Sequence, residues 1–300
     1  MKYCLSNEQL ADVVRAIRRD CLVMITAAAS GHPAGPLGAA DYNAVLWFNY
    51  LDLDPDNPEW DLRDRYVLSN GHCSALIYSL LARRGFYDPA GMITFRQPDS
   101  IFQGHPNRLK VPGLEASTGS LGQGLSIAHG MALGAKLYVQ QGREDFNKVR
   151  VFCNVGDGEL NEGTIWEAIA SAGYRGTDNL TAMIDWNNCQ IDGFADKVKD
   201  MAPIPDKFRA FNWHVIECDG HDYDAIRAAY DEALATTGKP TCIVFKTVFM
   251  KGAGEEFENL PKWHGNALPH DGLLRALKNM GYEFETVEEA YASIGEEVAL

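Results

Sequence analysis

Asp157 and Asn187 are the two side chains of this sequence whose surroundings point most directly to chemistry. Asp157 lies in a Gly-Asp-Gly turn after the apolar run 149–155, and Asn187 follows the apolar run 180–185. Such runs are typical of buried strands, and the helical pattern at 164–173 between them completes a strand–helix–strand unit. Because open parallel sheets bind ligands at the carboxyl ends of their strands, we expect both side chains at one binding edge.

The residue types at this edge match a magnesium site that also holds a diphosphate. Mg²⁺ prefers about six oxygen ligands and often combines one or two protein carboxylates with substrate phosphates. Asp157 offers a carboxylate, Asn187 a side-chain carbonyl and Cys189 a backbone carbonyl, while Gly158 lets a phosphate approach the backbone closely. Ca²⁺ or Mn²⁺ could substitute for Mg²⁺. The alternative is an ordinary turn between strand and helix, because Gly-Asp-Gly is common in loops.

Four of the eight histidines lie on glycine-containing turns. His32 and His105 each stand between glycine and proline, His72 follows the strand-like run 66–69, and His264 lies in Trp-His-Gly. A single histidine of this kind is often only a turn or capping residue. Four of them favour a shared site for proton transfer and for hydrogen bonds to hydroxyl or phosphate groups.

The other four histidines are interpreted as packing or turn residues: His129, His214, His221 and His270.

The glycine-rich segment 118–124 lies at the start of a predicted helix. Its glycines let the backbone meet a flat ligand closely. Close packing between helices is the alternative, and both interpretations can hold together.

These motifs together resemble the amino-terminal half of transketolase, and most closely the separate amino-terminal subunit of split transketolases. The resemblance covers roughly residues 5–270 and is carried, in order, by SGHPAGPLGAAD, LSNGH, FQGHP, STGSLGQGLS, GDGELNEGTIWEA, WNNCQIDG, AFNWHVIECDGHD and WHG. It implies thiamine diphosphate and Mg²⁺ as cofactors. It also implies transfer of a two-carbon ketol unit from a ketose to an aldose.

The resemblance further implies a role for each matching residue. The metal ligands would be Asp157, Asn187 and the backbone carbonyl of Cys189. The diphosphate would contact Gly158, Asn187, His72 and His264, the aminopyrimidine would contact Gly119, Ser120 and Leu121, and the thiazolium ring would pack on Ile191. The catalytic residues facing the reacting carbons and the substrate hydroxyls would be His32, His105 and His264. Glu162 matches an acid that couples the two active sites across a dimer.

Two positions depart from the family pattern. Ser120 replaces a common proline, as is usual in split subunits. The run 34–36 is Ala-Gly-Pro where split subunits often have Gly-Gly-Ser. Because this run borders the substrate channel in the family, the identity of the substrate sugars is left undecided. They are either the usual sugar phosphates or branched, deoxy or sulfonated sugars of a specialised pathway.

The resemblance also implies an incomplete site, because the family's catalytic glutamate comes from a pyrimidine-binding domain in the second half of the full-length enzyme. No such domain follows within these 300 residues. We therefore expect a separate carboxyl-terminal subunit to supply the glutamate, with self-association into an α2β2 assembly. The alternatives are the α-subunit of a 2-oxo-acid dehydrogenase, which shares the Gly-Asp-Gly and Asn pattern, and a degenerate homologue used for binding. A deoxyxylulose-phosphate synthase is close in fold but longer.

Alternating strand-like and helical segments predict an α/β fold, with a mainly parallel sheet, helices on both faces and the diphosphate type of thiamine-diphosphate-binding domain. Strands are predicted at 66–69, 149–155, 180–185, 213–218 and 241–247, and helices at 7–28, 37–50, 72–84, 120–140, 164–173 and 222–236. Residues 1–270 are expected to form the cofactor-binding domain, and residues 271–300 an acidic carboxyl-terminal extension.

The composition excludes several kinds of partner and site. A formal charge of −14 argues against nucleic acid and against acidic membranes. Seven scattered cysteines without a Cys-x-x-Cys pair suggest a reducing compartment, and we expect a cytoplasmic protein. The polar amino terminus predicts no signal peptide, and no apolar run is long enough to predict a membrane span.

Overall fold

A five-stranded parallel sheet forms the centre of the computed structural model, which describes residues 4–296 and 298. The strand order is β1-β2-β3-β7-β6, and every neighbouring pair is parallel. The strands are β1 (Arg65–Leu68), β2 (Val151–Gly156), β3 (Leu180–Trp186), β6 (His214–Asp219) and β7 (Thr241–Lys246), and a short antiparallel pair joins β4 (Cys189–Gln190) to β5 (Gly193–Phe194). The predicted parallel sheet is confirmed, with every strand end within two residues of its expected position.

Helices cover both faces of this sheet, as expected for an α/β domain. They are α1 (Asn7–Ala27), α2 (Ala34–Gly38), α3 (Ala40–Val45), α4 (Ser74–Arg83), α5 (Gln123–Gln140), α6 (Gly163–Arg175), α7 (Ala195–Val198), α8 (Ile204–Ala210), α9 (Tyr223–Ala235), α10 (His270–Asn279) and α11 (Val287–Ala292). A capping box starts α1. The backbone of Gln9 donates to Ser6 Oγ at 3.3 Å, and the Gln9 side chain accepts from the Ser6 backbone at 3.0 Å.

Alternate residues of the central strands enter two separate apolar cores. Phe152 and Phe245 pack with α1, α3, α4 and α9 on one face. Val151 and Val244 pack with α5, α6 and α8 on the other face. Strands that are buried on both sides are apolar throughout, which explains why β2, β3 and β7 are nearly continuous hydrophobic runs.

The single helix predicted at 37–50 is wrong in detail. The chain forms α2 and α3 and then a π-helical turn at Leu46–Tyr50. Gly38 ends α2 against the segment after β7, where an added Cβ would lie 2.9 Å from the Val248 carbonyl oxygen. This close approach is a tertiary constraint, which the helical periodicity of the sequence does not reveal.

The helix predicted from residue 120 begins three residues later, at Gln123. Gly122 precedes it with a left-handed φ of 85°, and Gly119 has a φ of 152°. The glycine-rich segment therefore forms a turn before α5, with backbone angles that only glycine adopts easily.

The carboxyl-terminal helices pack on the first helix. In α10, Leu273 and Leu277 are fully buried in the same core as α1. The Gly295 backbone N–H also donates to Asp20 in α1 at 3.2 Å. The proposed boundary at residue 270 stays a prediction, and residues 1–3, 297, 299 and 300 of those two segments lie outside the described residues. Across the described helices, none is both long and apolar enough to cross a membrane.

Candidate functional site

A cleft of about 110 Å³ opens at the carboxyl ends of β1, β2 and β3. Its wall combines strand-end, loop and glycine-turn residues, among them Asn70, His72, Leu121, Asp157, Gly158, Asn187, Cys189, Ile191 and His264. This is the edge at which open parallel sheets bind ligands. The fold therefore brings most of the predicted site residues to one place.

Asp157 lies buried at the base of the cleft and is held by backbone donors. Its carboxylate accepts from the backbone N–H groups of Gly158 at 2.7 Å, Asn188 at 2.6 Å and Asn187 at 3.2 Å. Burial, and next the nearby Asp185 carboxylate, raise the pKa of Asp157 to about 7. A divalent cation at this position would offset the charge that burial otherwise disfavours.

The segment after β3 wraps around this carboxylate. Asn188 adopts a left-handed φ of 60°, which turns the chain so that the backbone N–H groups of Asn187 and Asn188 both face Asp157. The Asn187 side chain donates to Asp185 at 3.0 Å and accepts from the Cys189 backbone at 2.9 Å. Burial raises the pKa of the Cys189 thiol to about 12, so its side chain stays neutral.

Asp185 is a site residue that the sequence analysis missed. It is the fully buried penultimate residue of β3, and its carboxylate accepts from Thr247 Oγ1 at 2.5 Å. Burial raises the pKa of Asp185 to about 6. No group of three His, Cys, Asp or Glu side chains that could hold a metal ion occurs among the described residues. A cation held by one carboxylate, an amide and a backbone carbonyl would therefore take its other oxygen ligands from a bound phosphate or water.

Glu159 was also missed, although it follows the Gly-Asp-Gly turn directly. Its buried carboxylate accepts from Ser69 Oγ at 2.5 Å, from the Gly122 backbone at 2.7 Å and from the Gly156 backbone at 3.2 Å. These three bonds join the end of β1, the turn before α5 and the end of β2. Glu159 thus fixes the cleft wall, and the GDGE run was the only signal of it in the sequence.

Three of the four glycine-turn histidines form a cluster beside the cleft. The ring centroids of His32 and His72 are 4.9 Å apart, those of His72 and His264 5.4 Å, and those of His32 and His264 5.6 Å. The His264 ring stacks on Phe249. Nδ1 of both His32 and His264 is buried and has no hydrogen-bond partner among the described residues.

Burial keeps this cluster neutral. Burial is the main reason that the pKa of His32 falls to about 4, and the nearby His264 and Arg96 lower this pKa further. Burial also holds the pKa of His72 well below its usual range and lowers the pKa of His264. Neutral imidazoles can donate through one nitrogen and accept through the other, so these rings are suited to hydroxyl and phosphate groups.

His105 lies near this cluster but is more exposed. Gly119 packs on its ring, since an added Cβ at Gly119 would lie 2.8 Å from His105 Cδ2. Partial burial and the Arg96 charge lower the pKa of His105. The FQGHP and STGSLGQG motifs thus meet at the mouth of the cleft.

The remaining predicted site residues differ in position. Leu121 and Ile191 line the cleft, and the Ile191 side chain is 67 % exposed at its mouth. Ser120 and Glu162 are exposed and are not part of the cleft wall. Glu162 lies against the turn before α5, where an added Cβ at Gly122 would lie 2.8 Å from Glu162 Cβ. Their roles stay predictions.

Three of the other histidines have protein partners. His129 pairs with Thr177 at 3.1 Å and His214 with Glu232 at 2.7 Å. His221 pairs with Asp41 at 2.7 Å through Nδ1, and its Nε2 accepts from the Val248 backbone at 2.8 Å. These rings stabilise the fold outside the cleft.

Comparison with known proteins finds one family. The model of the transketolase thiamine diphosphate binding domain matches residues 6–299. Transketolase 2 of Xanthobacter flavus is 42 % identical over 290 residues, which are 93 % of this chain and 42 % of that protein. The 6-deoxy-6-sulfo-D-fructose transketolase subunit SqwG of Clostridium sp. (strain MSTE9) is 38 % identical over 250 residues, which are 82 % of this chain and 88 % of that protein.

Solved structures agree with this match. Transketolase from Leishmania mexicana superposes with a TM-score of 0.87 and 33 % identity, over 97 % of this chain and 45 % of that one. Transketolase from Campylobacter jejuni gives the same TM-score at 34 % identity, over 96 % of this chain and 46 % of that one. The chain thus spans less than half the length of these transketolases. It belongs to the transketolase family and has the fold of that family's thiamine diphosphate-binding domain.

Proposed function

We propose that this chain is the amino-terminal, thiamine diphosphate-binding subunit of a two-chain transketolase. With its partner it transfers a two-carbon ketol unit from a ketose to an aldose. The observation that carries this proposal is the cleft, where the buried Asp157 carboxylate faces the same space as His72 and His264, and where His264 Nδ1 has no hydrogen-bond partner among the described residues. Family membership supplies the reaction class.

The residues of the cleft fit the diphosphate end of the cofactor. Gly158 has no side chain, so its backbone is accessible from the cleft. A Cβ added at Gly158 would lie 3.2 Å from Gln190 Cβ and would narrow the cleft. Asp157, the Asn187 side chain and the Cys189 carbonyl would hold Mg²⁺, which is the hard, oxygen-binding cation suited to a diphosphate. His72, His264, Gly158 and Asn187 would contact the diphosphate itself. The neutral rings donate hydrogen bonds there without adding a fixed charge.

The other end of the cofactor would lie toward the glycine turn. Gly119, Ser120 and Leu121 would contact the aminopyrimidine, and Ile191 would pack on the thiazolium ring. When bound, thiamine diphosphate supplies the electron-accepting ring that stabilises a carbanion during carbon–carbon cleavage. His32, His105 and His264 would bind the substrate hydroxyls and move protons there, which neutral imidazoles can do at neutral pH.

An exposed apolar surface supports the proposed partner. On α5, Leu137 and Tyr138 are 52 % and 48 % exposed, and Cβ atoms added at Gly130 and Gly134 would meet no atom within 4 Å. Tyr174 of α6 is 90 % exposed. Such a surface lets another chain approach the helix closely. We assign it to the proposed α2β2 assembly, in which the carboxyl-terminal subunit supplies the glutamate and Glu162 couples the two sites.

The extent of the match to relatives also supports a separate partner. The chain covers 42 % of Transketolase 2 of Xanthobacter flavus but 88 % of the SqwG subunit. For the substrate we propose the sugar phosphates of ordinary transketolases. The similarity to the SqwG subunit, which is named for 6-deoxy-6-sulfo-D-fructose, favours a sulfonated ketose as the second candidate.

The test compares the purified chain alone with the chain co-purified with the pyrimidine-binding subunit of the same organism. Both are assayed with thiamine diphosphate, Mg²⁺ and an aldose phosphate, using either xylulose phosphate or 6-deoxy-6-sulfo-D-fructose as donor. We expect ketol transfer only with the partner. Full transfer by the chain alone would contradict the partner requirement, and release of CO₂ from a 2-oxo acid without ketol transfer would contradict the reaction.

A further inference from the structure

Arg96 links the two loops that carry His32 and His105. Its Nη1 donates to Ser30 Oγ at 2.8 Å, and Ser30 lies two residues before His32. On the other side its guanidinium packs on Gly104, where an added Cβ would lie 2.7 Å from Arg96 Nε and 2.8 Å from Cζ. One side chain therefore contacts both histidine-bearing loops, and glycine at position 104 makes the room for it.

The backbone around Arg96 is held in a conformation that few residues adopt. Arg96 has a left-handed φ of 59°, which is costly for a non-glycine residue and persists only when the surroundings enforce it. Its backbone N–H donates to Phe102 at 2.9 Å and closes the loop. From α4, the Tyr78 hydroxyl donates to the Gln103 carbonyl at 2.7 Å, and the Ser74 hydroxyl donates to the Gly104 carbonyl at 2.9 Å. These hydrogen bonds fix the loop with the Arg96 side chain directed toward Ser30.

The loop that carries His32 needs such support because one buried nitrogen of this ring lacks a hydrogen-bond partner within the described residues. His32 Nδ1 has no partner among the described residues, and neither does the buried Nε of Arg96. The position of His32 therefore depends on the anchoring of its loop.

We propose that Arg96 is a positioning residue, which holds the His32 and His105 loops against the cleft for the ketol transfer proposed above, on which this inference rests. The charge of Arg96 adds a second effect, because a nearby cation disfavours protonation of both imidazoles. The other groups that face His32 are His72, His264 and His105, and Asp192 acts on His264 with the opposite sign. Arg96 is the fixed positive charge in this set.

The test measures the ring titration of each histidine by NMR in the purified chain and kinetics in the complex with the partner. In Arg96→Met, we expect the pKa values of His32 and His105 to rise by about half a unit or more, while the pKa of His129 does not change. In Arg96→Lys, which keeps the charge but loses the forked geometry, we expect smaller pKa shifts and a kcat about tenfold lower.

Ser30→Ala and Thr94→Ala form a matched pair of variants in the same region. Ser30→Ala removes the acceptor of the Arg96 bond and should lower kcat by several-fold with little change in KM. Thr94 bonds to Gly91 at 2.8 Å and to Ser100 at 2.7 Å rather than to Ser30 or Arg96, so Thr94→Ala should change neither value. This pair keeps the test decisive if Arg96→Met does not fold.

Two outcomes would overturn the inference. One is unchanged titration of His32 and His105 in Arg96→Met, and the other is equal kinetic effects of Ser30→Ala and Thr94→Ala. Because the titration does not depend on catalysis, it separates this inference from the proposed function. If the shifts occur and the complex transfers no ketol unit from either donor, the proposed function fails while the arrangement of Arg96 and the histidines stands.

Discussion

The histidines of this protein fall into two groups that differ in their partners. Those at the cleft, His32, His72 and His264, contact one another, and the buried Nδ1 of both His32 and His264 has no hydrogen-bond partner among the described residues. His221 and His214 pair with acidic side chains within the fold. Because buried polar atoms are nearly always hydrogen-bonded, unsatisfied nitrogens beside a cleft favour a role in binding polar groups.

The same contrast separates the carboxylates. Asp41 accepts from Arg18 at 2.5 Å, from His221 and from Tyr223 at 3.1 Å, and the pKa of this carboxyl is lowered although burial opposes it. Asp157 has backbone donors and no ion-pair partner within the described part of the chain, and its pKa is raised. The structural acid Asp41 thus has cationic partners, whereas the bonds that hold the cleft acid Asp157 come from the backbone. Differences in partners, more than in burial, identify the site.

The largest effect we expect comes from removing the cleft acid. Asp157→Ala should lower the Mg²⁺-dependent affinity for thiamine diphosphate by about 100-fold or more, because the metal loses the carboxylate that compensates its charge. Isothermal calorimetry on the assembled protein measures this. Asp178→Ala is the control, since Asp178 pairs with Lys136 at 2.5 Å away from the cleft. Equal affinity of both variants for the cofactor would contradict the metal assignment.

A smaller effect should separate the two histidine groups by stability. His221→Ala leaves the Val248 N–H without its acceptor and Asp41 without one donor, so we expect the free energy of unfolding to fall by about 2 kcal/mol. His32→Ala removes a ring without hydrogen bonds and should cost less than about 1 kcal/mol. Urea unfolding at neutral pH checks both values. A larger loss of stability in His32→Ala than in His221→Ala would contradict the contrast between the two groups of histidines.

The smallest effect concerns pH. The pKa of His32 is about 4 in the folded chain and near 6.5 when unfolded, so the unfolded state binds more protons between these values. The stability associated with the neutral ring is therefore complete above pH 6.5 and is lost as pH falls toward 4. We expect His32→Ala to weaken this pH dependence. Urea unfolding at pH 7, 6 and 5 provides the measurement.

The sequence predicted the parallel sheet and the edge at which Asp157 and Asn187 meet, because both follow from periodicity and from where ligands bind in such sheets. The histidine cluster was predicted from its glycine turns. Asp185 and Glu159 were missed, since each acts through partners that are distant in sequence, such as Thr247 and Ser69.

Arg96 was missed for a similar reason. Its contacts to Ser30 and Gly104 arise only when two loops fold together, and its left-handed backbone has no signature at a non-glycine position. The break in the predicted helix 37–50 likewise depends on packing of Gly38 against the segment after β7. Local patterns predicted elements and strand-end residues, whereas side chains that act between elements needed the tertiary structure.

The most direct test of the account observes the histidine side chains as the cofactor binds. Thiamine diphosphate and Mg²⁺ are added to the assembled protein, and the ring signals are followed by NMR. We predict saturable, Mg²⁺-dependent shifts of His72 and His264, with the signals of His129, His214 and His221 unchanged. Unchanged signals of His72 and His264 at saturating cofactor, or shifts confined to the partnered histidines, would contradict the account.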